Sequence, residues 1–238
     1  MGILVQREFS VSADHRTEFE RQSRLGVWEN MLYNGAQMIA FGSWAFGGPG
    51  DVVVTHSVYK DFDHWTATRG WGAFATDSKK VEETAQIRAI FAGRQRLIEK
   101  SRATIIDYDD QLSEPAPFYR RDDDPIAPLP PTYGRQSIVA ETRYRLRSGT
   151  EDEFLRISSE VLWPWLQGED ARLLIYGRDP LTSIDEVVVM TAYRDISAWH
   201  RLSVPDDSIE SDFAARQELI ADETTRLLMV TTRFGNVI

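Results

Sequence analysis

The sequence contains no cysteine, which removes disulfides, thiolate metal sites and a cysteine nucleophile together. Histidine is scarce: His15, His56, His64 and His200 are the only four in 238 residues. A histidine-rich metal centre is therefore not expected, and neither is any other cofactor. No apolar run approaches the ~18 residues that would span a bilayer, and the opening "MGILVQREF" is too short and too acidic for a signal peptide. The expectation is a soluble, cytoplasmic protein without a membrane partner. Positive charge is also short, with 27 Lys and Arg against 37 Asp and Glu and a net charge of −10. A phosphate backbone calls for a basic patch, so nucleic acid is not an expected partner.

What is present is core-forming material. Hydrophobic residues make up 42% and aromatics 11% of the chain, enough for one large domain or two ordinary ones. The most informative feature is an internal repeat, which constrains architecture before any single residue does. A shift of 135 residues aligns Glu18, Phe19, Arg21, Ser23, Trp28, Ala36 and Gly42 with Glu153, Phe154, Arg156, Ser158, Trp163, Ala171 and Gly177. It also aligns Val52–Val54 with Val187–Val189. One dropped residue then restores Tyr59, Asp61 and Trp65 against Tyr193, Asp195 and Trp199. Between the copies, residues 109–136 hold six of the ten prolines, a density that favours extended chain and forbids helix. The expected organisation is a first unit over 1–109, a linker over 110–136 that includes the solvated run "RRDDDP", and a second unit over 137–238.

Each copy shows the same order of periodicities. Alternation over 3–11 and 137–146 reads as strand. "SGTEDE" is an acidic helix start, with Phe154, Ser158, Val161, Leu162 and Trp165 following at helical spacing. "AQMIAFGSW" and "ARLLIYGR" read as second strands and the valine runs as third strands, with "FGGPGD" and "DPLTSID" as turns. "FGGPG" has no phosphate-loop spacing. Helices are expected at 61–73 and 79–100 in the first copy and at 196–202 and 211–227 in the second. "RATIIDY" and "LMVTTRF" close the copies as short strands. The fold class is α+β: two tandem ferredoxin-like βαββαβ units.

The segments "VVVTHSVYKDFDHW" and "VVVMTAYRDISAWH", in the setting of that βαββαβ order, resemble the NIPSNAP-like branch of the dimeric α/β-barrel superfamily. The resemblance spans nearly the whole chain, once per copy. It implies that the two units pack sheet to sheet as a barrel within one chain, with a pocket between helices and sheet in each. The superfamily includes cofactor-free oxygenases, cyclases, isomerases, lyases and haem enzymes, so the fold leaves the function open. NIPSNAP-like sequences commonly place a tryptophan two residues before the third-strand tyrosine. Here Ser57 and Thr191 stand instead.

Candidate chemistry concentrates in the first copy. His56 lies on the strand face of Val54 and Val58, opposite Thr55, Ser57 and Tyr59. Sliding the copies places Thr191 against it, so the scaffold does not require imidazole there. His56 reads as general base or as a buried hydrogen-bonded core group, His64 as an alternative base or a surface cap, and Tyr59 as proton donor or strand-end packing. His200 follows Trp199 where His64 precedes Trp65, about 100° apart on a helix. Trp28 and Trp163 fall at broken helix ends, weakened by Gly26 and Pro164, where an indole packs in the core or covers a pocket mouth. On an ideal helix Trp163 points away from the apolar stripe. Trp28, Phe41, Trp44 and Trp65 are the expected substrate-binding residues, within an aromatic set that includes Tyr33, Phe46, Trp71 and Phe74. Glu8 and Glu141, with Arg143 at the place equivalent to Glu8, are expected to form ion pairs across the barrel, with Glu8 as a pocket acid or base the alternative.

The expected function is a cofactor-independent enzyme (lyase, isomerase, cyclase or oxygenase) using acid–base chemistry on a small apolar, aromatic or polyketide-like molecule, with a homo-oligomer as a further possibility. The alternatives are a non-catalytic binding protein and a haem enzyme of the chlorite-dismutase type, for which His200 would be the axial ligand of the second copy.

Overall fold

A computed structural model describes residues 1–69, 78–115, 133, 136–182 and 184–231. Eight antiparallel strands form a closed barrel. The first half supplies β1 (Gly2–Ser10), β2 (Gln37–Phe46), β3 (Val52–Tyr59) and β4 (Lys100–Tyr108). The second supplies β5 (Ile138–Leu146), β6 (Arg172–Arg178), β7 (Glu186–Tyr193) and β8 (Ile220–Val230). Around the barrel the order is β1-β3-β2-β8-β5-β7-β6-β4, so both halves lay their four strands in the same relative sequence.

The halves meet at two seams. At one, β2 pairs with β8 from Gly42↔Val230 to Phe46↔Leu227; at the other, β4 pairs with β6 only through Asp107↔Arg178 and Tyr108↔Gly177. The recurring glycines are explained there. A Cβ on Gly42 would stand 2.0 Å from the Met229 carbonyl oxygen, and one on Gly177 would stand 2.3 Å from that of Asp107. A bulge also recurs, between Met38 and Ala40 in β2 and between Leu173 and Ile175 in β6.

Strand alternation sorts side chains into two layers. One face, with Leu4, Val54, Val58, Ile106, Val139, Val188, Met190 and Leu228, fills the barrel with residues from all eight strands. The other face carries the helices. In the first half these are α1 (Arg16–Gln22), a π-helical turn over Ser23–Trp28, α2 (Glu29–Tyr33), α3 (Phe62–Arg69) and α4 (Ser78–Gln95). In the second they are α5 (Glu151–Ile157), a π-helical turn over Ser158–Leu162, α6 (Trp163–Gly168), α7 (Ile196–Leu202) and α8 (Glu210–Glu218).

Several sequence expectations are corrected here. The helix expected over 211–227 ends at Glu218, and β8 takes up the chain from Ile220. Nine residues of that strand pair with β5, and the branched Thr224–Thr225 pair suits a strand better than a helix. Likewise the helix expected over 79–100 stops at Gln95, before β4 begins at Lys100. The π-helical turns re-aim the tryptophans, because each added residue per turn rotates the rest of the helix by most of a residue step. Trp28 and Trp163 thereby return to the inner face and are buried. Gly26 serves close packing: a Cβ there would meet Ile90 of α4 at 2.8 Å. The recurring aspartates are helix caps, Asp61 accepting from the His64 amide at 2.7 Å and Asp195 from the Ala198 amide at 2.8 Å.

Of the proline-rich segment, Tyr133 is described and buried in the barrel cluster. The "RRDDDP" run, Trp71 and Phe74 lie outside the described residues.

Candidate functional site

In the first half two interior spaces hold polar groups that could do chemistry, and the alternation of β3 separates them. His56 points into the barrel. It is fully buried in a polar band with Gln6, Glu8, Glu141 and Arg226. Arg226 of β8 bridges the halves, donating to Glu8 Oε1 at 3.0 Å and Glu141 Oε1 at 2.7 Å, with its guanidinium 4.2 Å from the Trp44 ring centroid. Trp44 Nε1 donates to the same Glu8 oxygen at 3.0 Å. Arg143 extends the band to Glu141, Asp179 and Glu186. The expected cross-barrel ion pairing therefore exists, but its bridging cation is Arg226, while Arg143 bonds within its own half.

Inside this band the Gln6 amide donates to Glu141 Oε2 at 2.6 Å and to His56 Nε2 at 3.2 Å, while its oxygen accepts from Arg226 at 2.9 Å. That network assigns the imidazole proton to Nδ1, and Nδ1 has no partner. Burial pushes the His56 pKa down to about 4; Glu141 opposes the shift and Arg226 adds to it. The group is a neutral imidazole at pH 7. Strand register corrects its counterpart. His56 pairs with Gln6 and Met190 pairs with Glu141, so Met190, not Thr191, occupies the equivalent place; Thr191 corresponds to Ser57.

Helix-side, a chamber of about 190 Å³ lies between the first-half sheet and its helices. Thr55, Ser57 and Tyr59 of β3 form part of its floor; Trp28, Met31, Trp65 and Phe91 line it, and Arg7, Arg94 and Gln95 add polar groups. Of the expected site residues, the structure brings Trp28, Tyr59 and Trp65 together here. Phe41 stands behind Trp28, ring centroids 5.1 Å apart, and does not line the chamber. Trp44 and His56 are in the barrel. His64 accepts from the Lys60 amide at Nδ1 (3.0 Å), and its Nε2 donates to the Asn34 carbonyl at 2.6 Å. Both ring nitrogens are thus committed to joining two turns, which leaves this imidazole no lone pair for a substrate proton.

The group that sequence reading missed is Arg94, near the end of α4. It is only 4% exposed, its guanidinium sits 4.2 Å from the Phe19 centroid and 4.6 Å from that of Phe9, and its Nε donates to Ser23 Oγ at 2.7 Å. Ser23 in turn donates to the Phe19 carbonyl at 2.7 Å, which turns its lone pairs toward the arginine. The π-helical turn begins at that serine, a setting that recurs at functional sites. Among the described residues no carboxylate pairs with Arg94. Burial, with the charge of Arg7 adding to it, lowers its pKa to about 9, so it remains a cation at neutral pH.

The second half repeats this construction. Arg216 of α8 is 1% exposed, donates through Nε to Ser158 Oγ at 2.8 Å, and lies 4.2 Å and 4.6 Å from the Phe154 and Tyr144 centroids. A signal existed: "FAGRQ" at 91–95 and "FAARQ" at 213–217 are a further repeat. Their separation differs from that of the rest of the copies, which is why the alignment passes over them. His200 does not line the second chamber, although Trp199 does. No described imidazole lines either chamber; His200 lines a separate apolar pocket with Phe46, Ile196, Trp199 and Leu227.

No protein-family model matches the chain, and no curated protein matches it. Solved structures match its fold. A candidate monooxygenase from Lactobacillus acidophilus has a TM-score of 0.60 at 8% identity, over 100% of this chain and 99% of that one. A candidate chlorite dismutase has a TM-score of 0.53 at 15% identity, over 97% of this chain and 95% of that one. A NIPSNAP family protein from Agrobacterium tumefaciens has a TM-score of 0.36 at 20% identity, over 46% of this chain and 87% of that one. At these identities the likeness is one of fold.

Proposed function

We propose that this chain is a fused pair of ferredoxin-like units whose first chamber binds a small aromatic anion, a carboxylate or an acidic phenol or enol on a single ring, with the negative oxygen on Arg94. The observation that carries the reading is a buried guanidinium that no carboxylate pairs among the described residues, facing an aromatic-walled space. A cation taken out of water costs several kcal/mol unless it gains partners. Serine and two ring faces engage Nε and the guanidinium plane, which among the described residues leaves the terminal N–H groups for an oxyanion. An apolar cavity of about 150 Å³ holds benzene, so about 190 Å³ suits one ring with its charged substituent.

The chemistry that suits this site is cofactor-independent and passes through an enolate or phenolate, as in isomerisation, cyclisation or oxygenation. A guanidinium fixed before reaction stabilises such charge without reorganising. None of the described residues lining the chamber is a carboxylate or an imidazole. The substrate must therefore bring its own acidity, and His56 is replaced as the central residue by Arg94. Titration of the full chain with benzoate, followed by Trp28 and Trp65 fluorescence, tests the reading. Saturable quenching that weakens at least tenfold in Arg94→Gln supports it. Equal binding by a folded Arg94→Gln variant overturns it.

A further inference from the structure

The second half has a chamber of its own, of about 180 Å³. Its plan is that of the first: Trp163, Trp199 and Phe213 supply aromatic wall, Thr191 and Tyr193 form floor on β7, and Arg216 lines it from α8. Arg216 gives its Nε to Ser158, and no other hydrogen bond or ion pair engages it among the described residues. Its terminal nitrogens are not among the buried polar atoms that lack a partner, because they reach the chamber space. A nine-tenths-buried cation is therefore aimed into a second cavity.

The charge around the two arginines differs. In the first chamber Arg7 of β1 lines the floor beside Arg94. The equivalent place on β5 is Thr142, whose hydroxyl meets that of Thr225 at 3.0 Å, and Glu223 lies at the chamber rim. Two cationic side chains line the first space; a single one, with an acid nearby, lines the other.

We propose that the second chamber is a second binding site, filled independently of the first, for a singly charged single-ring aromatic anion held on Arg216, and that it disfavours dianions. Coulomb repulsion from Glu223 and the loss of a second cation set that preference. The site stands on its own residues and shares with the first-chamber reading only the logic of the buried guanidinium.

Calorimetric titration with benzoate and with the phthalate dianion separates the two sites. Wild-type chain is expected to take two benzoates. Arg94→Gln is expected to keep one site that binds benzoate at least tenfold more tightly than phthalate, and Arg216→Gln to keep the other. Two sites surviving in a folded Arg216→Gln variant overturn the proposal, as does a single wild-type site abolished by Arg94→Gln. The latter outcome leaves the first-chamber reading standing; a single site lost only in Arg216→Gln does the reverse. If Arg216→Gln does not fold, benzoate quenching of Trp199 in the Arg94→Gln chain decides. Saturable quenching that disappears with Trp199→Phe supports the site, and its absence overturns it.

Discussion

His56 and Tyr59 stand on one strand, three positions apart, and face different spaces: the imidazole enters the barrel and the phenol floors the first chamber. No chamber ligand reaches both. Replacing His56 by methionine, the residue at the equivalent place in the other half, is expected to leave benzoate affinity within twofold of wild type. A tenfold loss in the calorimetric titration would return the histidine to the site.

The same substitution has a signature in stability. The folded pKa of His56 is about 4 against an ordinary 6.5. Between those values the unfolded chain holds a proton that the folded chain refuses, so stability falls as pH drops from 6.5 toward 4. The slope from this one group is at most ~1.4 kcal/mol per pH unit. Urea unfolding at pH 7, 6 and 5 should show wild type losing stability faster than His56→Met, with the curves converging toward pH 7.

Benzoate binding should carry a different pH dependence, on the alkaline side. Free Arg94 keeps its proton up to a pKa of about 9, and an anion can bind only the protonated guanidinium. Affinity in the first chamber is expected to be level from pH 6 to 8 and to fall above 9, by about tenfold per further unit. Fluorescence titration at pH 7, 8.5 and 10 checks this.

Removing the barrel's bridging cation should be costly. Arg226→Met takes from Glu8 its cationic partner among the described residues and leaves Glu141, 1% exposed, with Arg143 as its one remaining cation there. A loss of about 3 kcal/mol is expected from an uncompensated buried charge. Arg145→Ala, which breaks an exposed pair with Asp222, should cost under ~1 kcal/mol. Denaturant midpoints of the two variants against wild type make the comparison.

Each seam glycine should resist even a methyl group. Gly42→Ala and Gly177→Ala push a Cβ against a neighbouring backbone carbonyl, where no side chain can swing aside. About 3 kcal/mol of destabilisation is expected from each. A thermal midpoint unchanged by either would mean the strands part freely there.

The strands were legible because alternation is strong where a sheet has one packed face on each side, and the repeated Gly42, Asp61 and Ser23 pairs proved to be seam, cap and arginine anchor. Three things were hidden. The α8–β8 boundary is decided by pairing with β5, which outweighs the local helical pattern of 211–227. Arg226 fell inside that misassigned stretch, so the bridge between Glu8 and Glu141 could not be foreseen. Helix phase beyond Ser158 departs from that of an ideal α-helix, and a π-helical turn leaves no mark in hydrophobic spacing. Arg94 and Arg216 were written as a repeat, but at a separation that changes with the shorter second-half helices. The histidines, rarer and more conspicuous, stand elsewhere.

The two-pair seam between β4 and β6 has a consequence for self-association. Among the described residues, pairing along β4 on that side is limited to Asp107 and Tyr108, so its opening stretch is left as the rim of an open sheet would be. Lys100 and Arg102 stand exposed along that stretch. Positive charge along that edge discourages a second molecule from adding its own strand there. The chain guards by charge a flank that its hydrogen-bond ladder leaves unzipped.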